Sequence, residues 1–139
     1  MVSVPARSVL RHEIMEHLKQ ATSAVGRVYM TRSTPVPKDS FPCLLVYFNR
    51  EELVGEECDQ IGSTVRRVEL AIEGAVSGIN LEDQLDILAD EVEQVMAGFV
   101  PKLSLLRECN LEEISFFVYV EESPVIGVVA MTYVVLYIN

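Results

Sequence analysis

From Val68 the chain alternates, with Val68, Leu70, Ile72, Gly74 and Val76 on one side and Glu69, Ala71, Glu73 and Ala75 on the other. Side chains in a strand repeat every second residue, so this segment reads as a strand with one face on a core and the other on solvent or a partner. Cys43 to Phe48 is a short unbroken apolar run suited to a sheet interior. Pro42 opens it, at the position where a missing N–H costs least. Leu111 to Glu121 and Ile126 to Ile138 predict two more strands, joined through a hairpin connection at Glu122-Ser123-Pro124. The last of these is apolar on both faces, Val128, Ala130, Thr132, Val134 and Leu136 against Val129, Met131, Tyr133, Val135 and Tyr137. Such a strand is central, covered on both sides, or part of a subunit contact.

Elsewhere the period is helical. Val9, Leu10, Ile14, Leu18, Ala21 and Val25 share a stripe, with Arg11, Glu13, Glu16 and Lys19 on the rest of the surface. That predicts an amphipathic helix of about five turns, entered near Pro5 and stopped before Gly26. A second stripe runs through Leu81, Leu85, Leu88, Ala89, Val92, Val95 and Met96. Asn80 is placed to cap it, Glu82 and Asp83 suit the positive end of its dipole, and Gly98 is placed to end it. Val28 to Thr31 predicts a short strand. Thr31 to Ser40 holds Pro35 and Pro37 and predicts an extended loop. The order α, β, β, β, α, β, β gives a single α+β domain over residues 1–139. Its two main helices pack on a mostly antiparallel or mixed sheet of four to five strands.

Composition narrows the function classes. At 139 residues the chain has the length of about one domain, and no linker divides it. Half of its residues are hydrophobic and the mean hydropathy is +0.26, yet no apolar run approaches the roughly 20 residues that span a bilayer. The apolar surface exceeds what one small domain needs. The segment MVSVPARSVLRHE lacks the basic-then-apolar design of a signal peptide, so the expected location is cytosolic. The 11 basic and 21 acidic residues give a formal charge of −10, and only Arg66 and Arg67 sit together as basic neighbours. A phosphate-binding surface needs clustered Lys and Arg, so direct nucleic-acid binding is not expected.

No catalytic or metal-ligating grouping stands out. His12 and His17 lie about 140° apart on the first helix and do not share a metal in the i, i+4 manner. Cys43, Cys58 and Cys109 are odd in number and far apart, which fits reduced thiols and indicates neither a disulfide framework nor a zinc site. The acidic set Glu51, Glu52, Glu56, Glu57 and Asp59 is the strongest candidate for function. Carboxylates this dense repel one another, and a loop that holds them benefits from a cation or a basic partner surface. Three readings stand: a solvated loop, a dock for a neighbouring subunit or another protein, and a divalent-ion site, although the spacing does not match a calcium loop. Arg66 and Arg67 follow on opposite faces of their strand, one placed for an adjacent subunit's acids and the other for its own loop. No cofactor is expected.

The run FPCLLVYF, the central Gly55-Glu56-Glu57, the alternating Val65 to Val76, the helices Arg7 to Ala24 and Leu81 to Met96, and the closing Thr132-Tyr133-Val134 occur in a characteristic order. In that order and spacing the chain resembles the phage tail-terminator family, the minor tail protein U family of lambdoid long-tailed phages. It departs from the pattern at the Pro-interrupted Thr31 to Ser40 and at Lys102 to Asn110. The resemblance implies a structural protein rather than an enzyme: a homo-oligomeric ring, a hexamer, in the virion tail, assembled in the host cytoplasm. Its implied partners are the tail tube protein and the head-tail connector protein, with no membrane. The contact residues expected on this basis are Arg32, Lys38, Glu51, Glu52, Glu56, Glu57, Asp59, Arg66, Arg67, Tyr133 and Tyr137. A small α+β ligand-sensing domain is the alternative from another class, and it requires convergent polar groups among apolar walls. A hydrolase or transferase requires a nucleophile with a base, which the two histidines on one helix do not supply.

Overall fold

The first apolar stripe folds as α1 (Ala6–Ala21) in a computed structural model that describes residues 6–24, 27–30, 41–54, 65–98, 106–121 and 125–138. Leu10, Ile14 and Leu18 are buried along its inner side, while Arg7, His12, Glu16 and His17 are exposed. The helix stops at Ala21, short of the expected end. The Thr22 hydroxyl donates to the Leu18 carbonyl at 2.7 Å and accepts from the Ala24 N–H at 3.4 Å, closing the last turn.

Five strands and one more helix follow: β1 (Val28–Tyr29), β2 (Cys43–Val54), β3 (Val65–Ser77), α2 (Leu81–Ala97), β4 (Leu106–Tyr119) and β5 (Ile126–Ile138). They form one sheet in the order β1-β2-β3-β5-β4, parallel only between β1 and β2. The expected α+β class and mixed sheet are therefore present. The doubly apolar last strand is central, flanked by β3 and β4; its Val129, Met131, Tyr133, Val135 and Tyr137 are buried, while Val128, Ala130, Thr132 and Leu136 of its other face are only partly buried. Arg27 seats the start of β2. Its carbonyl accepts the Leu44 N–H at 2.9 Å, and its Nε donates to the Pro42 carbonyl at 2.8 Å.

Both helices lie on one side of the sheet. Leu10, Ile14 and Leu18 of α1 and Leu85, Leu88 and Val92 of α2 close on Val46, Leu70, Ile72, Val129, Met131 and Val135. Each such side chain removed from water contributes roughly 1.5–3 kcal/mol, so the helix layer holds the core. The face of β3 that alternation assigned to a core is this one. Between β3 and α2 the chain turns through Gly78 at φ 100 and Asn80 at φ 56, left-handed positions that suit these two residue types. Asn80 sits at the cap but its side chain makes no capping bond. Gln84 instead braces the turn, its amide donating to the carbonyls of Ser77 at 3.2 Å and Ile79 at 2.6 Å.

Candidate functional site

The acidic candidates Glu51 and Glu52, expected in a loop, are part of a strand. β2 continues past its apolar run and pairs with β3 as far as Val54 opposite Val65. This extension places Glu51 opposite Val68 and Glu52 opposite Arg67, so the acids gain basic neighbours by staying in the ladder. A register shift between Phe48 and Arg50 makes this possible. The extra residue turns Glu51 toward the helices and Glu52 toward the open face of the sheet, and a bulge commonly re-aims side chains in this way.

On the helix side, Arg7 of α1 and Arg66 of β3 both donate to Glu51 Oε2, at 2.6 and 2.8 Å. The Tyr137 hydroxyl donates to Oε1. Burial pushes the Glu51 carboxyl up, but the hydrogen bonds from Tyr137 and Arg66 and the nearby charges of Arg7 and Arg66 outweigh it, leaving the group below the usual carboxylate range. Burial likewise raises Tyr137, and the bond to Glu51 adds to the effect. The cluster fastens the start of α1 to the far end of β2, β3 and β5.

On the open side, ion pairs run across the sheet from one edge toward the other. Arg50 Nη2 lies 3.2 Å from Glu52 Oε1, Arg67 Nη1 lies 3.4 Å from the same oxygen, and Arg67 Nη2 lies 3.3 Å from Glu112 Oε1 on β4. Signs alternate along this strip, which begins on β2 with a cation and ends on β4 with an anion. The Arg50 side chain is 65% exposed.

The two sheet edges differ in character. β1 covers only Leu44 and Leu45 of β2, so from Val46 onward β2 has no strand on its outer side among the described residues. β4 is the other edge, and its last part carries Phe116, Phe117, Val118, Tyr119 and the following Val120, each between 47% and 73% exposed. A long apolar edge strand of this kind invites pairing with another chain. Between the edges the open face holds a trough of about 400 Å³, floored by Ala71 and Ala130 and walled by Tyr47, Phe117 and Tyr119. In it Tyr47 donates to Glu73 at 2.7 Å and Ser115 to Glu113 at 3.2 Å.

The remaining candidates separate clearly. Tyr133 and Tyr137 are both buried on the helix side of β5. Arg66 and Arg67 point to opposite faces, as their adjacent positions require, and both meet acids of their own β2. Arg32, Lys38, Glu56, Glu57 and Asp59 lie outside the described residues, as does Cys58. Burial raises the Cys43 thiol to about 11, partly offset by Arg27, and raises Cys109 as well, so neither is poised as a thiolate. Among the described residues no three or more His, Cys, Asp or Glu side chains gather to hold a metal, and no helix is long and apolar enough to cross a membrane. Sequence reasoning missed Arg7, Arg50, Glu112 and the exposed end of β4. The run FFVYV was the available signal, but edge and centre are decided by pairing order.

No protein-family model matches the chain, and no curated protein matches it. Among solved structures it is similar to a chain from the virion of a native gene transfer agent particle, with a TM-score of 0.66 and 13% identity over 99% of this chain and 100% of that one. At that identity the likeness is one of fold.

Proposed function

We propose that this chain is a structural, non-enzymatic protein of a phage or phage-like tail. In this reading it forms a hexameric ring on the head-proximal end of the tail tube, stops the tube's polymerisation and offers the surface that meets the head-tail connector. It acts in the virion, after assembly in the bacterial cytoplasm. The observation that carries the reading is the end-to-end fold likeness to a chain of a gene transfer agent virion, which supports a virion role. The tail-terminator role rests on the order of sequence motifs, and the ring on two unlike sheet edges, unpaired among the described residues. An acidic surface also suits a channel for DNA, because a negative wall does not hold phosphates. The ligand-sensing alternative receives no support from the helix side of the sheet, which buried core side chains fill.

The test is removal of the gene from the particle-producing strain. Electron microscopy is expected to show tails that overrun their normal length and lack heads, with normal tails restored by the intact gene in trans. Tails of ordinary length joined to heads in the deletion strain would overturn the proposal.

A further inference from the structure

We infer that copies of this chain join head to tail through their sheet edges, β4 of one copy lying antiparallel beside β2 and β1 of the next, with Glu112 meeting Arg50 across the junction. The inference deepens the ring reading above and rests on it only for the number of copies.

Strand direction carries the first step. β2 and β5 run one way and β3 and β4 the other, because each neighbouring pair from β2 to β4 is antiparallel. A copy rotated about an axis along the strands keeps those directions, so its β2 arrives antiparallel to the first copy's β4. β1 is parallel to β2 and joins the same edge in the same sense.

Register carries the second. Arg50 pairs with Glu69, Glu69 with Val134, and Val134 with Asn110, so Arg50 and Asn110 stand at one level on opposite edges. Extending the sheet without stagger sets Arg50 of the next copy beside Asn110, between Glu108 and Glu112. A stagger of two residues either way leaves it beside one of those acids. At the other end of β4, Phe116 stands at the level of Val28 through Val129, Gly74 and Leu44, so the exposed apolar stretch meets the start of the next copy's β1 with its first residue, and Phe117 stands at the level of Arg27. Ser115 stands at the level of Tyr29, so Met30, 42% exposed, adds apolar surface beside Ile114.

Charge favours this arrangement over a two-fold pairing of β4 with β4 centred on the same Asn110. That pairing would bring Glu108 against the partner's Glu112, and like charges directly opposite destabilise a strand pair. The ion-pair strip instead starts with Arg50 and ends with Glu112, so a second copy continues its alternation. Exposed pairs contribute little affinity, so the strip sets register and partner while backbone pairing and the apolar end hold the contact.

The test uses two charge-reversed chains, Arg50→Glu and Glu112→Arg, with folding checked by circular dichroism and assembly followed by sedimentation velocity and native mass spectrometry. Each alone is expected to need at least roughly tenfold more protein than wild type to assemble. An equimolar mixture is expected to assemble into species holding both chains in equal numbers, since every junction is then between opposite charges. If either reversed chain unfolds, Arg50→Gln and Glu112→Gln carry the test, each expected to weaken assembly by no more than about fivefold, the worth of one exposed pair. Reversed or neutral variants that assemble like wild type would overturn the edge contact while leaving a ring built on other surfaces. Stronger assembly with Glu112→Arg and no change with Arg50→Glu would overturn it in favour of a β4 pair. A wild-type chain that stays monomeric at every concentration would overturn both this contact and the ring.

Discussion

Glu51 accepts from two guanidinium groups and one phenol, and these bonds join α1, β2, β3 and β5 at one point. Its carboxyl is held below its ordinary value of 4.5, and a group depressed on folding contributes stability that is present above the ordinary value and lost as pH falls through the folded one. Glu51→Gln keeps the shape and removes the charge. It is expected to lower stability at pH 7 by about 1.5–3 kcal/mol, the range for a hydrogen bond to a charged group. The gap between variant and wild type should narrow below pH 4.5, where the wild-type carboxyl takes up its proton. Urea midpoints at pH 7 and pH 3 measure both, and a gap of equal size at the two would show that charge is not what Glu51 supplies.

At the scale of elements, α2 sits low on the sheet because two glycines lie beneath it. A Cβ on Gly74 would come within 2.6 Å of Leu88 Cδ2 and 3.2 Å of Val129 Cγ1, and one on Gly127 within 3.0 Å of Leu85 Cδ1. The Leu88 tip has little room to give, since the residue is buried in the core. Gly74→Ala is therefore expected to destabilise by about 1–3 kcal/mol through overpacking, against the small gain that Ala would bring to a strand elsewhere. Denaturant unfolding measures it, and a neutral or stabilising result would mean that α2 moves out at no cost. Gly74 was legible as a core-face position from alternation. Its closeness to Leu88 was not, because sequence does not reveal how near a helix approaches.

For the whole molecule, the consequence of two unlike edges is closure or runaway growth. A head-to-tail contact forms a ring when its rotation closes and a filament when it does not. The proposed function requires closure. Raising protein concentration is accordingly expected to populate one assembly of fixed mass, with the monomer as its only abundant companion, in sedimentation velocity. A series of masses that lengthens with concentration would indicate an open polymer and would contradict a capping role. The formal charge of −10 opposes any assembly at long range, so association should strengthen as salt rises toward about 0.15 M, where charges more than about 8 Å apart are screened.

What the sequence determined by itself was local. Alternation from Val68 marked β3 and its core face, two helical stripes marked α1 and α2, and apolar residues on both sides of Ile126 to Ile138 marked a strand that needed cover on both faces. These features depend on residues within a few positions of one another, where strand and helix periods impose themselves directly. Strand pairing decided the rest. It carried β2 beyond its apolar run, because Glu52 has Arg67 across the ladder and Glu51 has Arg66 on the diagonal, and it placed a bulge at Phe48 and Arg50 that sends the two acids to opposite faces. It also put Tyr133 and Tyr137 under the helices, although their strand is apolar on either side. A shift of one residue in register exchanges the faces of a strand, and strand order alone makes FFVYV an edge instead of a centre. Both are set by contacts between distant parts of the chain, which local periodicity does not encode.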